Sequence, residues 1–218
     1  MEKKNLQLVH NYRPSTITSG KSPAIIMLHG FGSDENDLFS FAGELPAKYA
    51  IFSLKAPIKM QPYGNAWYNI YFDNSQGKFS DDIQAIESRE LVSQCIDEII
   101  EKYPVDANDI TLLGFSQGTI LSFAVALSYP KKVKNVIGLS GYINPDILKN
   151  GYATNDFSGL NIYTSHGTQD QVIPIQWARK TKPFLENLGI DCTYSEFPIG
   201  HGVSPQNLQD LKSWLSHH

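Results

Sequence analysis

Apolar residues along the chain fall into two alternating patterns. Short continuous runs, such as AIIML at 24–28 and VIGL at 136–139, are separated by stretches in which apolar positions recur every three or four residues. A continuous run bounded by turn residues predicts a strand buried on both faces, and the wider spacing predicts an amphipathic helix. Strands are predicted at 24–29, 50–55, 110–115, 133–140, 161–165 and 193–197, and helices at 34–45, 81–102, 116–128, 176–188 and 205–215. A further strand is expected near the N-terminus, from residue 5 up to Tyr12.

Strand and helix alternate throughout, without repeats, linkers or low-complexity segments. This order predicts a single α/β domain over residues 1–218, with a mostly parallel, doubly wound sheet and helices on both faces. In such open sheets ligands bind beyond the carboxyl ends of the strands. A chemically active residue is therefore expected just after a strand, and this rule filters the candidates below.

Composition narrows the function. Of 218 residues, 41% are hydrophobic and 18% charged, enough apolar material for a sizeable core. The formal net charge of −4, with no cluster of Lys and Arg, argues against a nucleic-acid partner. The longest apolar runs are about five residues, far from the ~20 that span a bilayer. The opening MEKKNLQLVH lacks the apolar centre of an export signal, so a cytoplasmic location is expected. Cys95 and Cys192 are too few and too distant for a disulfide framework or a zinc site, and both read as small buried hydrophobes. No H-E-x-x-H or comparable ligand cluster is present, so no metal or other cofactor is expected.

The sharpest chemical signal is Gly114-Phe115-Ser116-Gln117-Gly118, between the predicted strand ITLLGF and the nearly all-apolar helix SQGTILSFAVAL. A serine on a tight strand-to-helix turn, flanked by glycines that avoid collision, is the arrangement that exposes a nucleophile. The free N–H groups of the helix start favour the negative charge that develops beside it. A serine nucleophile needs a histidine to take its proton and a carboxylate to orient that histidine. Of six histidines, His10 and His29 precede the serine, and His217 and His218 lie at the chain end. His201 follows the strand TYSEF in a glycine-flanked loop, at the expected edge of the sheet. His166 also ends a strand, but no good carboxylate lies between it and Ser116, so it reads as structural.

The carboxylates between Ser116 and His201 are Asp146, Asp156, Asp170, Glu186, Asp191 and Glu196. Glu186 sits mid-helix, Asp191 opens a strand at the wrong edge, and Asp146 and Asp156 fall in a polar excursion. Glu196 lies close to His201 in sequence. Asp170 follows the strand NIYTS through a short turn and is selected. The oxyanion of an acyl-transfer intermediate needs preset donors. The backbone N–H of Gln117 and that of Phe31, in the turn His29-Gly30-Phe31-Gly32, are assigned to it.

LHGFGSDENDL, GFSQG, HGTQDQVIP and GHGVSP, in this order from about Gln7 to Trp214, resemble the phospholipase/carboxylesterase family of α/β-hydrolases, which includes acyl-protein thioesterases and small bacterial carboxylesterases. The resemblance implies an α/β-hydrolase fold and a serine esterase with Ser116, Asp170 and His201 as its triad and Phe31 and Gln117 at the oxyanion. Ala66-Trp67-Tyr68 is similar to the family's A-W-F segment, which implies that Trp67 adjoins the acyl pocket. SDENDL after HGFG resembles the bacterial esterase branch more than the thioesterases that act on proteins.

The reading is a serine carboxylesterase acting on small esters. Thioesterase, lysophospholipase and a catalytically silent ligand binder are its alternatives. A dienelactone-type hydrolase would need cysteine where Ser116 stands. Phe31, Trp67 and Tyr71 are expected to wall a modest apolar cleft, and the aromatic-rich stretch 63–79 is a second candidate wall. Neither excursion, 59–80 or 144–159, carries a helix long enough for a lid. The sequence leaves open whether the protein is a monomer or a homodimer.

Overall fold

A computed structural model describes residues 2–73 and 77–218. Seven strands form the central sheet: β1 (His10–Arg13), β2 (Ser22–Leu28), β3 (Ala50–Leu54), β4 (Val105–Phe115), β5 (Asn135–Leu139), β6 (Asn161–Gly167) and β7 (Cys192–Phe197). Their spatial order is β1-β3-β2-β4-β5-β6-β7. β1 runs antiparallel to β3, and every other neighbouring pair is parallel.

Successive side chains of a strand point to opposite faces. Ile25 and Met27 of β2 accordingly join one buried cluster, while Ala24, Ile26 and Leu28 join the other. The helices are α1 (Asp82–Lys102), α2 (Gln117–Ser128), α3 (Ile175–Ala178), α4 (Thr181–Glu186) and α5 (Pro205–Leu215). Residues of α1, α2 and α4 cover the Ile26 face. Residues of α5 and of a 3-10 segment, Leu38–Glu44, cover the Met27 face. All of α2 is buried, as its apolar sequence requires. α1 starts where the Asp81 side chain accepts the Gln84 N–H, and α5 where Ser204 accepts that of Asn207.

Several elements differ from the sequence reading. The expected helix 176–188 is divided into α3 and α4, because Pro183 has no N–H for the Arg179 carbonyl and its ring crowds that turn. The expected helix 34–45 is reduced to Leu38–Glu44. Asp34 accepts the Asn36 N–H at 2.8 Å, a local bond that competes with helix. The N-terminal strand begins only at His10, since the preceding segment bonds to α1 and its end, with Gln7 N–H on Glu98 and Lys4 N–H on Tyr103. β4 starts earlier than expected, at Val105, which pairs with Ser22 beyond an irregularity in β2. β5 ends earlier, because Ser140 turns out of it with φ of 53°.

The excursion 59–80 holds two small ribbons, Ile58–Lys59 with Asn65–Ala66 and Ile70–Asp73 with Gly77–Ser80. Residues 74–76 of the candidate wall 63–79 lie outside the described residues. Cys95 is buried as expected, but Cys192, at the start of β7, is only partly covered. Among the described residues no helix is long and apolar enough to cross a membrane.

Candidate active site

β4 ends at Phe115 and α2 begins at Gln117, so Ser116 alone turns the chain, with φ 54° and ψ −116°. Side chains rarely tolerate that region, and its occupation here stores strain at a single, nearly buried position. The Ser116 N–H bonds the Leu139 carbonyl at 2.8 Å, which ties the turn to β5. A Cβ on Gly114 would strike the Gly118 carbonyl, and one on Gly118 would strike the Leu28 carbonyl. The turn closes only because both are glycine.

His201 and Asp170 come to this turn from the loops after β7 and β6. The Ser116 Oγ lies 2.9 Å from His201 Nε2, and His201 Nδ1 lies 2.7 Å from Asp170 Oδ2. The other carboxylate oxygen, Oδ1, accepts the N–H groups of Val172 and Ile173 at 2.8 and 2.9 Å. Burial pushes the Asp170 carboxyl up, but hydrogen bonds from His201, Ile173 and Val172 outweigh it and hold the group below the usual carboxylate range. An ionised carboxylate can only accept, so His201 carries its proton on Nδ1. The Nε2 lone pair then faces the serine hydroxyl, and the arrangement can draw the proton from Oγ.

The other carboxylates are otherwise engaged. Glu196 takes two hydrogen bonds from Arg179, at 2.7 and 2.8 Å, which lower its pKa. Asp191 precedes β7, at the edge of the sheet away from Ser116. His166 is buried beside Asp170.

The Gly30–Phe31 peptide lies against the elbow: a Cβ on Gly30 would sit 3.4 Å from that of Ser116. The buried ring of His29 fixes this peptide. His29 Nε2 accepts the Ala56 N–H at 3.0 Å, so Nδ1 bears the proton and donates to the Gly30 carbonyl at 2.8 Å. In a planar trans peptide the Phe31 N–H points opposite to the Gly30 carbonyl, away from the His29 ring. Among the described residues no acceptor is bonded to the Phe31 N–H or to the Gln117 N–H at the start of α2. Burial pushes the His29 pKa down, which favours the neutral ring this geometry needs. The sequence reading missed His29, whose position before a glycine-rich turn was its only signal.

A cavity of about 660 Å³ opens over Ser116 and His201. Its apolar walls include Phe31, Tyr68, Ile70, Ile120, Tyr142 and Trp177. Asp82 and Asp146 also line it, and among the described residues no Lys or Arg does. Of the expected wall residues, Phe31 lies in the lining, and Trp67 and Tyr71 do not. Trp67 is fully buried: its indole N–H donates to the His29 carbonyl, and its backbone is held by Gln117 Oε1 at 2.9 Å and Ser88 Oγ at 2.5 Å. Its neighbour Tyr68 faces the cavity instead, and Gln117 Nε2 donates to the Tyr68 carbonyl at 2.7 Å. Tyr71 lies half-exposed with its hydroxyl 3.3 Å from Asp81. Tyr142 and Ile173, absent from the sequence reading, follow β5 and β6, so the carboxyl-edge rule reaches them.

Comparisons with known proteins bear on the family and the fold. A family model described as phospholipase/carboxylesterase matches residues 15–218. A probable carboxylesterase of Oryza sativa subsp. japonica is 30% identical over 156 residues, which are 70% of this chain and 58% of that protein. The chain thus spans less than two thirds of the length of this plant relative. Acyl-protein thioesterase 1 of Kluyveromyces lactis is 29% identical over 220 residues, 92% of this chain and 95% of the relative. The crystal structure of the Bacillus cereus carboxylesterase superposes with a TM-score of 0.84 at 19% identity, covering 98% of this chain and 95% of that one. The fold is the α/β-hydrolase fold.

Proposed function

Because the chain belongs to the phospholipase/carboxylesterase family, we propose that it is a serine carboxylesterase with Ser116 as nucleophile, His201 as general base and Asp170 as its orienter. The observation that carries this reading is the continuous contact from Asp170 through His201 to a strained Ser116 at the floor of an apolar cavity. His201 Nε2 takes the hydroxyl proton as Ser116 Oγ bonds to the ester carbonyl carbon. The oxyanion that forms is held by the N–H groups of Gln117 and Phe31. Collapse of this intermediate breaks the carbon–oxygen bond to the alcohol, which leaves with the proton from His201. Water, deprotonated by the same histidine, then releases the acid and restores Ser116.

The substrate is a small carboxylic ester whose acyl or alcohol part packs among Tyr68, Tyr142 and Trp177. A second reading, thioester cleavage by the same residues, is favoured by the likeness to a yeast acyl-protein thioesterase along nearly its whole length.

The test is to trap the intermediate. Mixing the protein with a short-chain p-nitrophenyl ester and quenching within the first turnover should give a nitrophenol burst of one per chain and an acyl group on the peptide containing Ser116. Hydrolysis without an adduct, or an adduct on another residue, would overturn the assignment. A matched thioester then ranks the two substrate classes by kcat/KM.

A further inference from the structure

His166 lies on β6, fully buried, with Glu196 of β7 as its register partner. Its Nε2 is 2.9 Å from the Ile173 carbonyl and 3.2 Å from Asp170 Oδ2. Its Nδ1 is buried and has no hydrogen-bond partner among the described residues. Both neighbours of Nε2 are acceptors. A buried N–H without an acceptor loses the whole of its hydration, so the ring's single proton belongs on Nε2 and the bare lone pair on Nδ1. The His166 ring thus packs beside Asp170 Oδ2 at 3.2 Å with its N–H spent on the Ile173 carbonyl, while Oδ2 accepts from His201 Nδ1 at 2.7 Å and two backbone N–H groups satisfy Oδ1.

We propose that His166 is a positioning residue for the Asp170–His201 pair. Its Nε2–H donates to the Ile173 carbonyl, and this bond holds the 170–173 turn, and with it the Asp170 carboxylate, in place against His201. The other ionisable groups facing this cluster are Asp170 and His201 themselves and Glu196, whose carboxylate is committed to Arg179 and Tyr194. The catalytic consequence rests on the serine-hydrolase reading, whereas the protonation of the ring does not.

Two measurements test this. Long-range nitrogen–proton NMR on the native protein at its working pH should show the His166 ring as the Nε2–H tautomer. An Nδ1–H tautomer or a doubly protonated ring would overturn the proposal, whether or not the protein is a hydrolase. The second measurement is the steady-state kinetics of His166→Leu, which removes the donor, and of His166→Gln, which keeps an amide donor there. In folded protein, His166→Leu should lower kcat roughly tenfold, the scale of a modest misalignment at a reacting centre, with KM little changed. His166→Gln, whose amide can still donate to the Ile173 carbonyl, should lie nearer the native kcat. A folded His166→Leu protein with native kcat would mean that the ring only fills space. If His166→Leu does not fold, the tautomer measurement decides alone.

Discussion

The indole Nε1–H of Trp67 donates to the carbonyl of His29 at 3.0 Å. His29 in turn holds the Gly30 carbonyl and so sets the direction of the Phe31 N–H. Trp67 thus supports the Gly30–Phe31 turn from below and is not among the residues that line the cavity. Replacing it by Phe removes the donor while keeping most of the ring. Trp67→Phe should lose about 1–3 kcal/mol of stability by urea denaturation, the cost of leaving a buried polar group unpaired. Preference among acyl chain lengths should not change. A fully stable variant with an altered chain-length profile would return Trp67 to the acyl pocket.

Selectivity among substrates should follow the lining of the cavity. Tyr142 and Trp177 meet edge to face with centroids 5.2 Å apart, and Trp177 is 40% exposed. Each buried methylene contributes about 0.8 kcal/mol, so kcat/KM should rise gradually with acyl length over short chains, roughly fourfold per carbon at most. Trp177→Ala should flatten that rise. With Asp82 and Asp146 in the lining and no Lys or Arg there among the described residues, esters bearing a carboxylate should react more slowly than neutral esters of equal size. A sharp increase in rate at the micellar threshold, or a preference for anionic esters, would contradict this picture.

Stability should fall with acid in two separate steps. Burial pushes the pKa of both His10 and His29 below the ordinary 6.5. As pH drops below about 6.5 the unfolded chain therefore binds protons before the folded one, and stability declines until the folded-state values are passed. Asp170 and Glu196 are held below their ordinary 3.8 and 4.5, so their contribution is present above those values and is lost only at lower pH. Urea midpoints measured from pH 8 to pH 3 should show both steps, and His10→Gln should shrink the first. A midpoint that stays constant between pH 8 and pH 5 would refute the histidine part.

The parts of this molecule that depend on local pattern were legible in the sequence. Apolar runs marked the parallel strands, the all-apolar stretch after Ser116 marked a buried helix, and the carboxyl-edge rule separated Asp170 from Asp191. What failed depended on contacts between distant segments. Trp67 and Tyr68 are adjacent aromatics in a loop. Which one turns inward is decided by Gln117 and Ser88 binding the backbone, and no periodicity records that. The 176–188 pattern was helical throughout, yet one proline at 183 divided it. The role of His29 was hidden because the Ala56 N–H that sets its tautomer lies 27 positions along the chain.

Asp170→Asn keeps the shape of the site but exchanges an acceptor for a group that can present N–H to His201. The histidine then loses the partner that keeps its proton on Nδ1. In a known triad that exchange costs about 10⁴ in kcat, and a loss of several orders of magnitude is expected here. Asp191→Asn, at the opposite edge of the sheet, should leave kcat within severalfold of the native value. Steady-state kinetics on both folded variants would settle it, and a larger loss in Asp191→Asn would remove Asp170 from its assigned role.

The central claim is that one serine, held in a strained turn and paired with His201, performs the chemistry. Incubation with a fluorophosphonate probe, followed by peptide mass spectrometry and an esterase assay, tests it most directly. The expected result is one probe per chain on Ser116 with complete loss of activity, and a folded Ser116→Ala protein that is neither labelled nor active. Labelling at a different serine, or full activity in Ser116→Ala, would contradict the account.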